Sequence, residues 1–108
     1  MHAGWPFQDE IVALMYAHPH VYVDVGMISW YLPKAEFHSY LRRLVGADFG
    51  DRILFGTDHM QWPQAIGLAV EAIESADFLS NEQKRAIFHG NAVEFLRLDP
   101  GSPNCQVR

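Results

Sequence analysis

The carboxylate of Asp58 is the side chain of this sequence that is best placed to do chemistry. It follows an apolar run at residues 52–56 (RILFG), which passes through Thr57 directly into the aspartate. In parallel α/β folds active sites form where the strands end, because the strand ends converge there while the helices stay outside. A carboxylate at that point can serve as a metal ligand or an acid–base group. The alternative is that Asp58 only caps the next turn, since Gly, Thr and Asp are common in turns for conformational reasons.

Two short apolar segments are predicted to be strands of one parallel sheet. Residues 21–25 (VYVDV) are rich in β-branched side chains and almost continuously apolar, as expected for a strand that is covered on both faces. Residues 52–56 form the second segment. Helical patterns flank both segments, and this alternation is typical of βαβ units. The sequence therefore predicts an α/β fold in which parallel strands alternate with helices.

Five helices are predicted from apolar residues at helical spacing and from capping signals. They span residues 7–17, 34–45 and 63–75, a segment that opens at Ser80, and residues 91–98. The buried face of the first helix is expected to comprise Phe7, Ile11, Leu14 and Met15. Residues 80–83 (SNEQ) predict a capping box, in which the Ser and Gln side chains each satisfy a free backbone donor of the first turn.

The composition is that of one compact domain. Of the 108 residues, 49% are hydrophobic and 13% aromatic, which is far more apolar than a disordered chain. We expect the domain to span residues 1–99. Residues 100–108 contain two prolines and a glycine that break regular structure, so we expect them to form a flexible tail.

The charge of the chain argues against two classes of partner. The net charge is −5, whereas nucleic acids and anionic membranes are bound through positive patches. No apolar run approaches the roughly 18 residues that a membrane-spanning helix needs, and no secretion signal is recognisable. The single cysteine, Cys105, cannot form an internal disulfide and suits a reducing compartment. We therefore expect a cytoplasmic protein.

Four motifs occur in a consistent order along the chain. They are HAGWP at residues 2–6, VYVDV at 21–25, GTD at 56–58, and GNA at 90–92 followed by FLRL at 95–98. Their order and spacing resemble the C-terminal part of the amidohydrolase-related family. This group includes enzymes of the aminocarboxymuconate-semialdehyde decarboxylase and resorcylate decarboxylase type. The resemblance covers nearly the whole chain.

The resemblance implies a (β/α)8 barrel, of which this chain would be the C-terminal portion. Such barrels have on the order of 250 residues or more, so the chain resembles only about their last third. It would hold two complete strands and the stub of a third, too few to close an eight-stranded barrel. We therefore expect an uncovered sheet edge, which favours self-association or pairing with a complementing N-terminal barrel segment.

The resemblance also implies catalytic roles for His2 and Asp58. In full-length relatives a divalent metal, with zinc as the first candidate, is bound by histidines and by an aspartate that Asp58 matches. His2 resembles a histidine that lies beside the metal and acts as acid or base. Such a metal activates water or polarises a substrate oxygen, and the nearby histidine moves the proton. The substrate would be a small molecule.

The other histidines depart from the family pattern. The HxH pair that binds metal in relatives has no counterpart, because HPH at residues 18–20 lies in the connection that enters a strand, at the end opposite the active site. We expect His59 on the loop surface rather than facing substrate, His38 on a helix surface, and His89 in the turn before the last helix. Asp24 is expected to be a structural group rather than a ligand, since a buried carboxylate needs a partner.

Three interpretations follow from the resemblance. The one we favour is a C-terminal fragment of a metal-dependent enzyme, inactive and without metal when isolated. The second is a non-catalytic partial barrel that acts as a binding or assembly module. The third is a barrel completed by another chain or by oligomerisation. Within the enzyme interpretation, hydrolysis and non-oxidative decarboxylation of a small carboxylic acid or related substrate both stay open, because they use the same metal-site elements.

Overall fold

Two short parallel strands lie at the centre of the fold. A computed structural model describes residues 1–60 and 62–98. Strand β1 is Val23–Asp24 and strand β2 is Ile53–Leu54, with Val23 beside Ile53 and Asp24 beside Leu54. This confirms the parallel pairing predicted for segments 21–25 and 52–56. The tail predicted for residues 100–108 lies outside the described residues.

Strands β1 and β2 have two residues each and are shorter than predicted. A side chain binds the backbone ahead of β1. Arg52 Nε donates a hydrogen bond to the Val21 carbonyl oxygen at 2.8 Å, and Nη2 donates to the His18 carbonyl oxygen at 2.6 Å. Arg52, which directly precedes β2, thus ties the chain ahead of β1 to β2. The contact also fixes the loop that carries His18 and His20 at the amino end of the sheet, as the sequence predicted.

The predicted helices are present, with ends shifted by a few residues. The capping box is confirmed: Ser80 Oγ accepts from the Gln83 nitrogen at 3.1 Å, and Gln83 Oε1 accepts from the Ser80 nitrogen at 2.9 Å. None of the helices in the described residues is long and apolar enough to cross a membrane. The helices are α1 Gln8–Ala17, α2 Ile28–Tyr31, α3 Lys34–Gly46, α4 Ala65–Glu74, α5 Asn81–Arg85 and α6 Asn91–Phe95.

Several short elements were not predicted, because a single turn leaves no periodic signal in the sequence. They include helix α2, a turn at Gly50–Arg52 and a π-helical turn at Ala86–Gly90. His89 therefore lies in the π-helical turn that continues into α6. At the start of the chain, His2–Gly4 forms a tight turn and not the stub of a strand, because the φ angles of these residues are 54°, 47° and 73°.

The core forms around α3, which buries Phe37, Tyr40, Leu41 and Leu44. Helix α1 packs on it with Val12 and Met15, whereas Phe7 and Leu14, predicted to be buried, are 66% and 42% exposed. Polar contacts with α3 set this orientation. Gln8 Nε2 donates to the Tyr40 carbonyl oxygen at 2.7 Å, and Asp9 pairs with Arg43. These contacts are invisible to an analysis of apolar spacing alone.

Apolar side chains are exposed on the outer helices. Besides the two on α1, α4 exposes Ile66 (41%) and Leu68 (44%), and α6 exposes Phe95 (48%). Scattered apolar residues are ordinary on protein surfaces, but several on three different helices indicate faces that a neighbouring element could cover.

Asn91, at the start of α6, joins this helix to strand β2. The side chain is buried, and its Nδ2 donates to the Gly50 carbonyl oxygen at 2.9 Å and to the Ile53 carbonyl oxygen at 2.8 Å. One amide thus satisfies two backbone acceptors beside the sheet. Buried acceptors without a donor are costly, so this residue holds the last helix against the strand that leads to Asp58.

We expect Asn91→Leu to destabilise the fold by about 1–3 kcal/mol, because it leaves two backbone oxygens without donors while keeping the side-chain volume. Urea unfolding followed by circular dichroism measures the loss. The matched control is Asn81→Leu, at the exposed first position of α5, which should change the free energy of unfolding by no more than about 0.5 kcal/mol. Equal effects at the two positions would contradict the assigned role of Asn91.

Candidate functional site

His2 is held in place by the buried turn that contains it. Ala3, which follows it, is fully buried, and the Tyr40 hydroxyl donates to the Ala3 carbonyl oxygen at 2.7 Å. Gly4 packs against Ile11 so closely that an added Cβ would lie 2.9 Å from the Ile11 Cβ. Helices α1 and α3 together therefore position His2.

The orientation of the His2 ring follows from one hydrogen bond. Its Nδ1 lies 2.7 Å from the Gly26 carbonyl oxygen, just beyond the end of β1. A carbonyl oxygen only accepts, so Nδ1 carries the proton and donates it. In the neutral imidazole the free lone pair is consequently on Nε2. Nε2 points toward Asp58 and is the atom that can take up a proton or bind a ligand.

Asp58 reaches the same point from the end of β2. Its Oδ2 lies 3.9 Å from His2 Nε2, and the side chains of His2 and Asp58 are 25% and 34% exposed. This distance is too long for a direct hydrogen bond, but an atom about 2.9 Å from each could bridge them. The prediction that these two residues lie at one end of the sheet is confirmed. Their catalytic roles stay predictions.

Two glycines allow the strand ends to approach each other. An added Cβ on Gly26 would lie 3.0 Å from Asp24 Oδ1 and 3.7 Å from Asp58 Cβ, and one on Gly56 would lie 3.5 Å from the Gly26 nitrogen. Asp24 Oδ1 accepts from the Gly26 nitrogen at 3.0 Å and from the His2 nitrogen at 3.4 Å. Asp24 thus orders the backbone beneath the site, in agreement with its interpretation as a structural group.

The backbone is strained at both strand ends. Met27 has φ 66° and ψ −54°, and the Ile28 nitrogen donates across it to the Gly26 carbonyl oxygen at 2.8 Å, which makes a γ-turn of the rare positive-φ kind. Asp58 has φ 53°. Such residues cost of order 1–3 kcal/mol each and cluster at functional sites, where the surrounding structure enforces them. Of the six described non-glycine residues with positive φ, three belong to this site, namely His2, Met27 and Asp58, whereas Asp48 and Arg97 lie elsewhere.

The sequence did not predict that His59 lines the cavity at this site. A cavity of about 290 Å³ is lined by His2, Asp24, Asp58 and His59, among others. His59 is exposed, as expected, and its Nδ1 lies 2.8 Å from Thr57 Oγ1. The only signal in the sequence was its position directly after Asp58.

The other histidines lie away from this cavity. His18 and His20 are at the amino end of the sheet, and His89 is exposed on the π-helical turn. His38 Nε2 donates to the Ala72 carbonyl oxygen at 2.8 Å, which makes it a packing residue between α3 and α4.

A complete metal site is not formed by residues 1–60 and 62–98. No three His, Cys, Asp or Glu side chains among them are grouped so that they could hold a metal ion. Catalytic zinc sites use three protein ligands, whereas this cavity offers the Asp58 carboxylate and the His2 imidazole beside each other. The donor types suit a divalent metal, but their number is insufficient.

Comparison with known proteins gives one match. A family model described as Amidohydrolase matches residues 1–98, which include both strands, His2 and Asp58. No curated protein and no solved structure matches the chain.

We expect Tyr40→Phe to destabilise the fold by about 1–3 kcal/mol below pH 10, because the buried Ala3 oxygen loses its donor. Burial raises the pKa of Tyr40 to about 12, although the Arg43 guanidinium lowers it. In the unfolded chain tyrosine loses its proton near pH 10. The folded state therefore binds the proton more tightly, and the stability that Tyr40 contributes falls as pH rises from about 10 to 12.

Urea unfolding of both proteins between pH 8 and pH 12 measures this difference, and the His2 ring resonances should shift in the variant. Tyr31→Phe is the control, since Tyr31 is 61% exposed and its ring is kept. If the free energy of unfolding of the wild type exceeded that of Tyr40→Phe by the same amount at every pH in this range, the role of the Tyr40 proton would be contradicted.

Proposed function

Because the chain belongs to the amidohydrolase family, we propose that it supplies part of the active site of a metal-dependent hydrolase, with His2 as acid or base and Asp58 as a metal ligand. One observation supports this most directly. His2 Nε2 and Asp58 Oδ2 are 3.9 Å apart, and the Nδ1 contact to Gly26 leaves the Nε2 lone pair free. An imidazole fixed in this tautomer, beside a carboxylate, is suited to proton transfer.

In this proposal His2 does the proton chemistry. Nε2 takes a proton from a water or substrate group that bridges to Asp58, and the Nδ1–H bond to Gly26 stabilises the resulting imidazolium, because a charged donor makes a stronger hydrogen bond. The same group can return the proton to the product. Tyr40 and Asp24 keep the ring in place through the backbone of residues 2 and 3.

The family is generally metal-dependent, and a bound divalent metal would activate water or polarise a substrate oxygen. Asp58 would be one ligand. The described residues hold no group of three, so a site with three protein ligands needs at least one ligand from outside them. Zinc is the metal that we propose, since it is bound by imidazole and carboxylate in hydrolases.

We further propose that the chain forms the C-terminal portion of a (β/α)8 barrel. Amidohydrolases usually have this architecture, and the parallel strands β1 and β2 would be neighbours in it. The site then lies at the carboxyl end of the strands, as in other such barrels. The reaction would be hydrolysis, or non-oxidative decarboxylation of a small carboxylic acid, since both need a proton-transfer group next to the metal.

The experiment uses a complete barrel, which is formed by adding the N-terminal segment of a family member to this chain. In it, the metal-binding role of Asp58 can be measured separately from the proton-transfer role of His2. We expect Asp58→Asn to lose most of the bound zinc, because the anionic ligand is removed. His2→Ala should keep the zinc and lower turnover by about 10²- to 10⁴-fold, the effect of losing a general acid or base. Metal analysis and steady-state rates provide the two measurements.

His89→Ala and Asp77→Asn are the controls for this experiment, since both residues are exposed and do not line the cavity. They should leave metal content and turnover unchanged. If His2→Ala lost zinc to the same extent as Asp58→Asn, the division of roles would be wrong.

A second proposal rests on the exposed apolar residues. Phe7 and Leu14 line a groove of about 410 Å³ on α1, and α4 exposes Ile66 and Leu68. In a barrel these faces would contact neighbouring elements. In the chain alone, we propose that they contact a second copy, so that the protein acts as an assembly module.

We expect the isolated chain to sediment as dimers or larger species at micromolar concentration, because association removes apolar surface from water. Leu14→Gln should shift the distribution toward monomer. Ala13→Gln, at the exposed neighbouring position of α1, should not. A monomer that unfolds cooperatively at every concentration would rule out self-association.

A further inference from the structure

A second pocket adjoins the cavity that contains His2 and Asp58. It has a volume of about 240 Å³ and is lined by Met27, Trp30, Asp58, Met60 and Trp62. Asp58 and Met60 also line the first cavity, so the two spaces meet at these residues. Four of the five lining side chains are aromatic or thioether groups, which present polarisable apolar surface to a ligand.

Trp30 and Trp62 form the aromatic wall of this pocket, and a hydrogen bond ties Trp30 to the loop that carries Asp58. Trp30 Nε1 donates a hydrogen bond to the Thr57 carbonyl oxygen, which directly precedes Asp58. The only polar atom of the Trp30 side chain is therefore satisfied, and the indole offers a ligand only its apolar ring. The Trp62 ring packs against it edge to face, with ring centroids 5.8 Å apart and an interplanar angle of 75°.

The size and charge of the pocket limit what can enter. Pockets for drug-sized ligands have volumes of about 300–1,000 Å³, so a smaller pocket suits a single ring. No Lys or Arg is among the described lining residues of the two spaces, and Asp58 is the carboxylate that they share. Met1 lines only the first cavity, and its N-terminal ammonium pairs with Asp24 Oδ2 at 3.6 Å. In the metal-free chain, an anionic group inside the aromatic pocket would meet the Asp58 carboxylate and no cationic side chain.

We propose that this pocket, formed by Met27, Trp30, Met60 and Trp62, binds an uncharged aromatic ring of the substrate while the reacting bond lies between His2 and Asp58. The inference rests on the proposed function for the position of the reacting bond. Binding of the ring in the pocket does not depend on the proposed function. Aromatic pairs prefer edge-to-face or offset arrangements, and a ring entering beside Trp30 and Trp62 can adopt either. The pocket thus selects the substrate class, an aromatic compound whose ring end is neutral.

The test uses the full 108-residue chain and three small probes of similar size: benzyl alcohol, benzoate and benzylammonium. Binding is followed by NMR through the indole N–H resonances, assigned by single Trp→Phe variants. Benzyl alcohol should shift the resonances of Trp30 and Trp62 and leave Trp5 unshifted, because Trp5 is not a lining residue. Benzoate should bind at least tenfold more weakly.

Variants then identify the binding side chains. Trp62→Ala should weaken benzyl alcohol binding by roughly 2- to 10-fold, the loss expected for one aromatic contact. Met60→Ala should also weaken it, and since Met60 is 79% exposed this change does not disturb folding. Trp5→Phe is the matched control and should have no effect on affinity.

Other outcomes overturn the proposal. Equal affinities for benzoate and benzyl alcohol would exclude selection by charge. Tighter binding of benzylammonium that Asp58→Asn abolishes would show a cation site instead. His89→Ala, at an exposed residue that lines neither space, should leave benzyl alcohol binding unchanged. A failure of the catalytic assignment appears in the turnover of the complete barrel, whereas a failure of the ring pocket appears in the probe affinity of the isolated chain.

Discussion

The parallel pairing of β1 with β2 is the constraint on which the candidate site depends. Because Asp24 lies beside Leu54, the chain that leaves β1 passes Gly26 next to Gly56, and the backbone that follows brings Asp58 to the same edge. A shift of register by one residue would turn every side chain of a strand to the other face. It would also separate the Gly26 oxygen, which orients His2, from the aspartate that His2 faces.

The site has two parts: hydrogen bonds beneath it that fix the turn of His2 and Ala3, and residues at its rim, Met27 and Asp58, with strained backbone. Beneath it, Asp24 and Tyr40 bind backbone groups of His2 and Ala3, and their own positions are set by β1 and α3. At the rim, Met27 and Asp58 adopt positive φ angles that such residues rarely occupy. Strain of this kind persists only where packing enforces it, and here the buried turn and the two strands provide that packing.

The sequence predicted those features that arise from local patterns. The parallel strands, helix α3 and the capping box at Ser80 follow from apolar runs and turn residues. The proximity of His2 to Asp58 was predicted from the family resemblance, although His2 lies in a tight turn and does not follow a strand. The buried face of α1 was predicted wrongly, since the contacts of Gln8 and Asp9 with α3 override apolar spacing. The ring orientation of His2 and the pocket around Trp30 depend on contacts between distant residues, and no local pattern encodes them.

The Gly26 carbonyl oxygen has two donors at once. It accepts from His2 Nδ1 at 2.7 Å and from the Ile28 nitrogen at 2.8 Å, so both of its lone pairs are engaged. When His2 gains a proton, its Nδ1–H becomes a charged donor and draws this oxygen more strongly. The same oxygen closes the γ-turn at Met27 from which α2 and Trp30 extend. In the proposed function, a change of charge on the imidazole would therefore act through this one oxygen on the loop that carries Trp30. The peptide between Gly26 and Met27 would then couple proton transfer at His2 to the position of the ring pocket.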